Sequence, residues 1–293
     1  MPPTHAQARS PSRASLDLAN RLAREFDQAL AKGDIEIPPL RQSVIQLLEL
    51  CNRPLFEVHE VVDVVHTDAA LAGHILRLAN SAAFGAKQRI DSITEAVGRL
   101  GARQLQGVAA GLMLKADLFK GSVRLGTRLR HMWQHSALAG VYARDIGQLA
   151  NLEARAAMII GLMHDVGEPF VLRQLIELEN ASGETLPDDV IDDVVHVLHA
   201  PIGAALVRAW GLSDNLAAVA EFHHDWAEAG EHAPSAMLAQ VADAFAHWSV
   251  TPSAEGGRLL LASPAVQELG LDHKTLGSLF LARDEVRNVA RAL

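Results

Sequence analysis

Gly161-Leu162-Met163-His164-Asp165-Val166-Gly167 sets a histidine and an aspartate side by side inside an apolar run. An ionised carboxylate among apolar neighbours is costly to bury unless something pairs with it. A divalent cation is one such partner, and an imidazole next to a carboxylate suits zinc, iron or manganese. A plainer reading also fits the pair: the aspartate faces solvent and caps the next helix, while the histidine is satisfied by a backbone carbonyl. The pair alone does not choose between them, so the choice turns on the other histidines.

The chain has 293 residues, enough for one large domain or two modest ones. Apolar residues make up 49% and aromatic residues only 4%. That mix, rich in Ala and Leu, favours helices packed closely on helices. The net charge of -9 argues against a general nucleic-acid binder, whose affinity would come from neutralising phosphates. The single cysteine, Cys51, excludes an internal disulfide and fits a reducing compartment. No secretory h-region opens the sequence, and its apolar runs are broken by charge before they reach a membrane span. A cytoplasmic protein with no membrane partner is expected.

Helical periodicity dominates and no strand-like alternation of useful length occurs, so the expected class is all-α. The expected organisation is a disordered tail at 1–14, an N-terminal helix at 15–34, a main domain at 35–250 and a C-terminal helical extension at 251–293. The main domain divides into an N-terminal helical lobe (about 35–125) and a second lobe (about 126–250). Pro38-Pro39 imposes extended backbone. Asp68 is placed to cap one helix, and Ser92 with Glu95 forms a capping-box pattern for another. Asn80 and Ser81 read as helix-end caps, and Trp133, Trp210 and Trp226 as packing residues. Gly121 to Gly126 is a candidate hinge. One helix is expected over Asp188 to Leu198 and another over Ile202 to Trp210, separated at Pro201. Ser253 to Gly257 reads as a loop and Lys274 to Leu293 as one amphipathic segment. Arg99, Arg103, Lys115, Lys120, Arg124, Arg128 and Arg130 face a single acid, Asp117, over one stretch. This is either a solvated face paired with acids elsewhere or a docking surface for an anionic ligand.

Histidine is abundant, with 14 copies. His135, His164, Asp165, His199, His223, His224 and Asp243 each fall within or at the end of an expected helix. A helical bundle can aim such residues at one centre. Two metals about 3.5–4 Å apart, sharing a carboxylate, would use a set of this size. His131, His196, His232 and His247 read instead as surface or internally satisfied residues.

Several stretches, in order, resemble the HDOD domain, the HD-related output domain. They are Ile37-Pro38-Pro39-Leu40, Leu76-Arg77-Leu78-Ala79-Asn80-Ser81-Ala82, Ile93 with Ala96 and Leu100-Gly101, and the Gly161–Gly167 stretch. His199-Ala200-Pro201-Ile202-Gly203, Trp210-Gly211-Leu212 and Phe222-His223-His224-Asp225 complete the pattern, which covers roughly Ile37 to Trp248. The resemblance implies an all-α fold related to HD phosphohydrolases. It implies a metal held by His135, His164, Asp165 and Asp243, with His199, His223 and His224 matching the further histidines of binuclear HD-GYP sites. One or two ions of iron, manganese or zinc are the expected cofactor.

Two departures from HD-GYP proteins bear on activity. Glu168 stands where they carry a phosphate-contacting lysine, and like charge there repels a phosphodiester. The Gly-Tyr-Pro element is absent, since Asp225 is followed by Trp226-Ala227-Glu228. The resemblance therefore implies a bacterial signalling or regulatory module without established catalysis. Its expected partner is a signalling protein, with a small anionic ligand as a second class and nucleic acid disfavoured. The alternative is a metal-dependent phosphohydrolase acting on a nucleotide or phosphodiester.

Overall fold

A computed structural model describes residues 11–32, 42–53, 57–81, 84, 89–101, 105, 126–150, 152 and 157–293. Among them there are helices and turns and no strands, as helical periodicity with few aromatics predicts. The Pro38-Pro39 segment, residues 121–125 of the candidate hinge, and Arg103, Lys115, Asp117, Lys120 and Arg124 of the basic stretch lie outside the described residues.

The N-terminal lobe holds α2 (Gln42–Asn52), α3 (Val58–His66), α4 (Ala69–Ala79) and α5 (Ile93–Leu100), with α3 packed on the other three. Leu71, Ile75 and Leu78 recur on one face of α4 and are buried. Each contributes about 1.5–3 kcal/mol by leaving water. Asp68 caps α4 by accepting from Leu71 N at 3.1 Å, and Ser92 accepts from Glu95 N at 3.5 Å to start α5. Asn80 acts structurally. Its Nδ2 donates to Leu76 O at 2.9 Å and Ile90 O at 2.7 Å, and its Oδ1 accepts from Ile90 N at 2.7 Å. It thus ties the end of α4 to the lead-in of α5.

The second lobe is built around α6 (Gly126–Leu149), which packs against α7 (Ala157–Met163) and α11 (Ala233–Val250). Their shared face is lined by small residues. Ala137, Ala139, Gly140 and Ala143 on α6, Ala157 and Gly161 on α7, and Ala239, Ala242 and Ala246 on α11 are all buried. A Cβ on Gly161 would lie 2.3 Å from Ala139 O, so only glycine permits this spacing. The stretch that carries His164 and Asp165 is thereby pressed onto α6.

α8 (Gly167–Ser182) and α9 (Asp188–Ala209) form the next layer, and α1 (Arg13–Lys32) lies across α9. Phe26 of α1 meets Phe170 of α8 edge-on, with ring centroids 5.7 Å apart. Ser15 Oγ donates to the buried Asp193 at 2.7 Å, and Ser12 N donates to the same carboxylate at 3.1 Å. The first helix begins at Arg13, two residues before the expected start. α10 (Asp214–Phe222) leads through a 3-10 segment (Trp226–His232) into α11. Trp133, Trp210 and Trp226 all join the main core, as their packing role predicts.

Three expected boundaries are corrected. α9 runs unbroken through Pro201, because its apolar residues on both sides of the proline stay buried in one layer. The cost is the backbone hydrogen bond that Pro201 cannot donate. Residues expected as a loop at Ser253 to Gly257 form the start of α12 (Ala254–Leu261), with Ser253 as its N-cap, accepting from Gly256 N at 3.0 Å. α13 (Pro264–Glu268) follows. The segment from Lys274 onward is two helices, α14 (His273–Leu281) and α15 (Arg283–Ala292), the second packed on α6. α9 is long and apolar enough to cross a membrane, but more than half of its apolar window is buried against the rest of the fold.

Candidate metal centre

Five segments converge on one point. α6 supplies His135, and the turn between α7 and α8 supplies His164 and Asp165. α9 supplies His199, the end of α10 supplies His223 and His224, and α11 supplies Asp243. All seven residues of the expected set meet there. Asp165 stands in the middle. Its Oδ2 is 3.0 Å from His164 Nε2 and 3.5 Å from His135 Nε2. Its Oδ1 is 3.2 Å from His223 Nε2 and 3.6 Å from His199 Nε2. His224 closes that second side, its Nε2 3.0 Å from His199 Nε2. Asp243 Oδ1 closes the first, 3.0 Å from His135 Nε2.

The backbone sets the orientation of the rings. His164 Nδ1 lies 2.7 Å from Gly161 O, and His223 Nδ1 is 3.1 Å from Ala220 O. His199 Nδ1 is 2.8 Å from His196 O. Each Nδ1–H donates to a carbonyl one helical turn back, which leaves Nε2 to face the centre. That is the arrangement by which an outer partner fixes the tautomer of a metal-binding imidazole.

The donors fit a divalent metal. His164, Asp165, His199, His223 and Asp243 are all buried. Asp165 Oδ1, His223 Nε2 and Asp243 Oδ1 are buried without a well-aligned hydrogen bond among the described residues. Such groups are costly to leave unmatched. Asp165, His199, His223 and His224 form one compact donor group, and His135, His164 and Asp165 form another that shares the same carboxylate. Nitrogen and carboxylate oxygen, with no thiolate, suit zinc, iron or manganese.

The charges are strongly coupled. Burial alone would raise the Asp165 carboxyl, but the His164 and His223 imidazoles hold it well below the ordinary carboxylate range. Asp243 is likewise held well below its ordinary value against burial, by His135, His164 and His247. Burial lowers His164, yet Asp165 and Asp243 outweigh it and raise the imidazole well above its ordinary value. His135 is lowered by burial despite Asp243. Glu168 is raised well above the ordinary carboxyl by burial and by the nearby Asp165 charge.

His247, read from sequence as a surface or satisfied residue, stands beside the cluster instead, its Nε2 3.2 Å from Asp243 Oδ1. The available signal was its spacing, four residues after Asp243 on one helix. His131 and His196 are exposed and His232 is partly exposed. The basic stretch resolves mostly into structural contacts where it is described. Arg128 pairs with Asp188 at 3.0 Å and with Asp192, Arg99 donates to Ala79 O at 3.2 Å, and Arg130 donates to Thr127 Oγ1 at 2.9 Å.

Comparison with known proteins bears on the family and the fold. The HDOD domain model matches residues 37–226, a span that ends before Asp243 and His247. An HDOD domain protein of unknown function from Geobacter sulfurreducens superposes with a TM-score of 0.71 at 23% identity, covering 94% of this chain and 98% of that one. A Shewanella amazonensis protein to which a metal-dependent phosphohydrolase function has been attributed gives 0.70 at 21% identity, over 94% and 98%. An uncharacterised protein of Treponema pallidum is 29% identical over 271 residues, covering 84% of this chain and 50% of that protein. The chain thus spans about half the length of that curated relative.

Proposed function

The chain belongs to the HDOD domain family, and on that premise we propose that it is a bacterial regulatory output module built around a metal centre. The observation that carries the reading is the buried Asp165, whose two oxygens face histidines on opposite sides. His135, His164, Asp165 and Asp243 would hold one ion, and Asp165, His199, His223 and His224 a second. Bound there, an ion would supply positive charge that matches two buried carboxylates and locks five segments together. The centre then sets the packing of α6, α9 and α11, which a signalling protein or a small anionic ligand would read at the surface.

The alternative, a metal-dependent phosphohydrolase, draws support from the same donors. Against it stands Glu168: its carboxyl, raised by burial and Asp165 toward the neutral form, repels phosphate less than its sequence position suggests, but it leaves no cation where HD-GYP proteins carry a phosphate-contacting lysine. The discriminating experiment is a turnover screen of metal-loaded protein against cyclic dinucleotides, nucleoside phosphates and a chromogenic phosphodiester. The regulatory reading expects no hydrolysis above a metal-only control. Turnover that disappears in His164→Ala selects the hydrolase.

A further inference from the structure

The His135–Asp243 flank of the cluster carries a residue outside both the family match and the expected ligand set. His247 lies one turn beyond Asp243 on α11, so both side chains leave the same helix face. His247 Nε2 is 3.2 Å from Asp243 Oδ1, and His135 Nε2 is 3.0 Å from that oxygen. The two imidazole rings lie 4.4 Å apart, tilted by 35°. The donor atoms of His135, Asp243 and His247 all fall within 4.8 Å of one another. Donors about 2.0–2.1 Å from a tetrahedral ion stand roughly 3.3 Å apart, close to the two shorter separations here.

Exposure shows which side His247 guards. The side chain of His164 is 0% exposed and that of Asp165 is 4% exposed. His135 is 14%, Asp243 11% and His247 29% exposed. That flank is therefore partly open to solvent, with the His247 ring as its most exposed member, as the exposed His224 is on the other flank. Metal sites that activate water keep one position open to it, whereas structural sites are closed by protein donors.

We propose that His247 is a further ligand of the ion held by His135 and Asp243, and that it occupies the position through which water or a phosphate would reach that ion. The inference rests on the metal reading above and deepens it, since an ion closed in this way is suited to holding structure rather than to hydrolysis.

The test titrates Mn2+ into chelator-stripped wild-type, His247→Ala and His247→Gln proteins. Free Mn2+ is read by electron paramagnetic resonance and water access to bound Mn2+ by proton relaxation. His247 is partly exposed on a helix that alanine favours, and glutamine keeps length and polarity while being a poor ligand. Both variants should bind one ion at least about tenfold more weakly, because even outer partners of a ligand contribute about 10–100-fold. Both should also raise the water relaxation per bound ion. The relaxation readout separates ligation from a role in merely positioning Asp243, which would weaken binding without admitting water. Unchanged relaxation in the variants overturns the proposal and leaves the metal centre standing. A wild-type protein that binds no Mn2+ overturns both, so the two failures are distinguishable.

Discussion

Gly167→Ala should damage both the fold and the metal centre. A Cβ on Gly167 would lie 2.0 Å from His199 O and 2.7 Å from Gly203 N. Carbon–oxygen contacts settle near 3.3 Å, so α8 and α9 must separate by roughly 1.3 Å. Both struck atoms are backbone, so no rotamer change relieves the clash. Overpacking commonly costs about 1–3 kcal/mol, and this site belongs at the upper end. For a chain of this size about 3 kcal/mol lowers Tm by roughly 6–12 °C. The displaced carbonyl belongs to His199, whose Nε2 stands 3.6 Å from Asp165 Oδ1. A shift near 1 Å there exceeds the roughly 0.5 Å tolerance of a working site, so metal binding at the His199 side should fall as well. Urea unfolding and calorimetry of metal-free protein measure the first effect, and elemental analysis measures the second. Gly161→Ala should behave alike, since its Cβ would meet Ala139 O at 2.3 Å. Gly277, with nothing within 4 Å, is the control and should gain about 0.4–1 kcal/mol as alanine. If Gly167→Ala stays within about 0.5 kcal/mol of wild type and keeps its metal, the close approach argued for α8 and α9 is wrong.

Other outcomes follow from the same geometry. In metal-free protein His164 is held above its ordinary value by Asp165 and Asp243 against burial, so an incoming ion must displace its proton. Apparent zinc affinity should rise with pH across neutrality, with proton release visible in an unbuffered titration; a pH-independent affinity would contradict this. Glu168 has a folded-state value raised above the ordinary 4.5, so the folded chain binds more protons than the unfolded one above that pH. Its contribution to stability therefore falls as pH rises from 4.5. Glu168→Gln should remove that slope and stabilise metal-free protein at pH 7, read by comparing urea unfolding of both proteins at pH 7 and at about pH 5; a variant whose stability falls with pH as the wild type's does would refute it. Phe26→Ala removes the ring that α1 sets against Phe170 and should cost about 3 kcal/mol, with early proteolysis of α1. Wild-type resistance of α1 to protease would show that α1 is held by other contacts.

Much of this was legible in the sequence because helical periodicity and ligand chemistry are local. The three- and four-residue spacing that buries Leu71, Ile75 and Leu78 identifies α4 directly. The histidines and aspartates announce themselves by being expensive in an apolar run. Other features depend on partners distant in the chain. Pro201 reads as a break, yet burial on both sides of it holds α9 together. Arg128 reads as part of a basic face, and only the fold brings Asp188 and Asp192 to it. His247 was missed because its meaning depends on where α11 aims it, although its spacing from Asp243 carried the hint. Gly161 and Gly167 read as motif letters, and only packing reveals them as the points where helices touch.

The central claim is that the buried cluster around Asp165 holds metal. Elemental analysis of untagged protein, purified without chelators, addresses it most directly, with His164→Ala and Asp165→Ala prepared beside it. The account predicts one or two ions of iron, manganese or zinc per chain in wild type and loss of metal in both variants. A wild-type protein that remains metal-free after incubation with all three metals would contradict it, as would variants that retain full metal content.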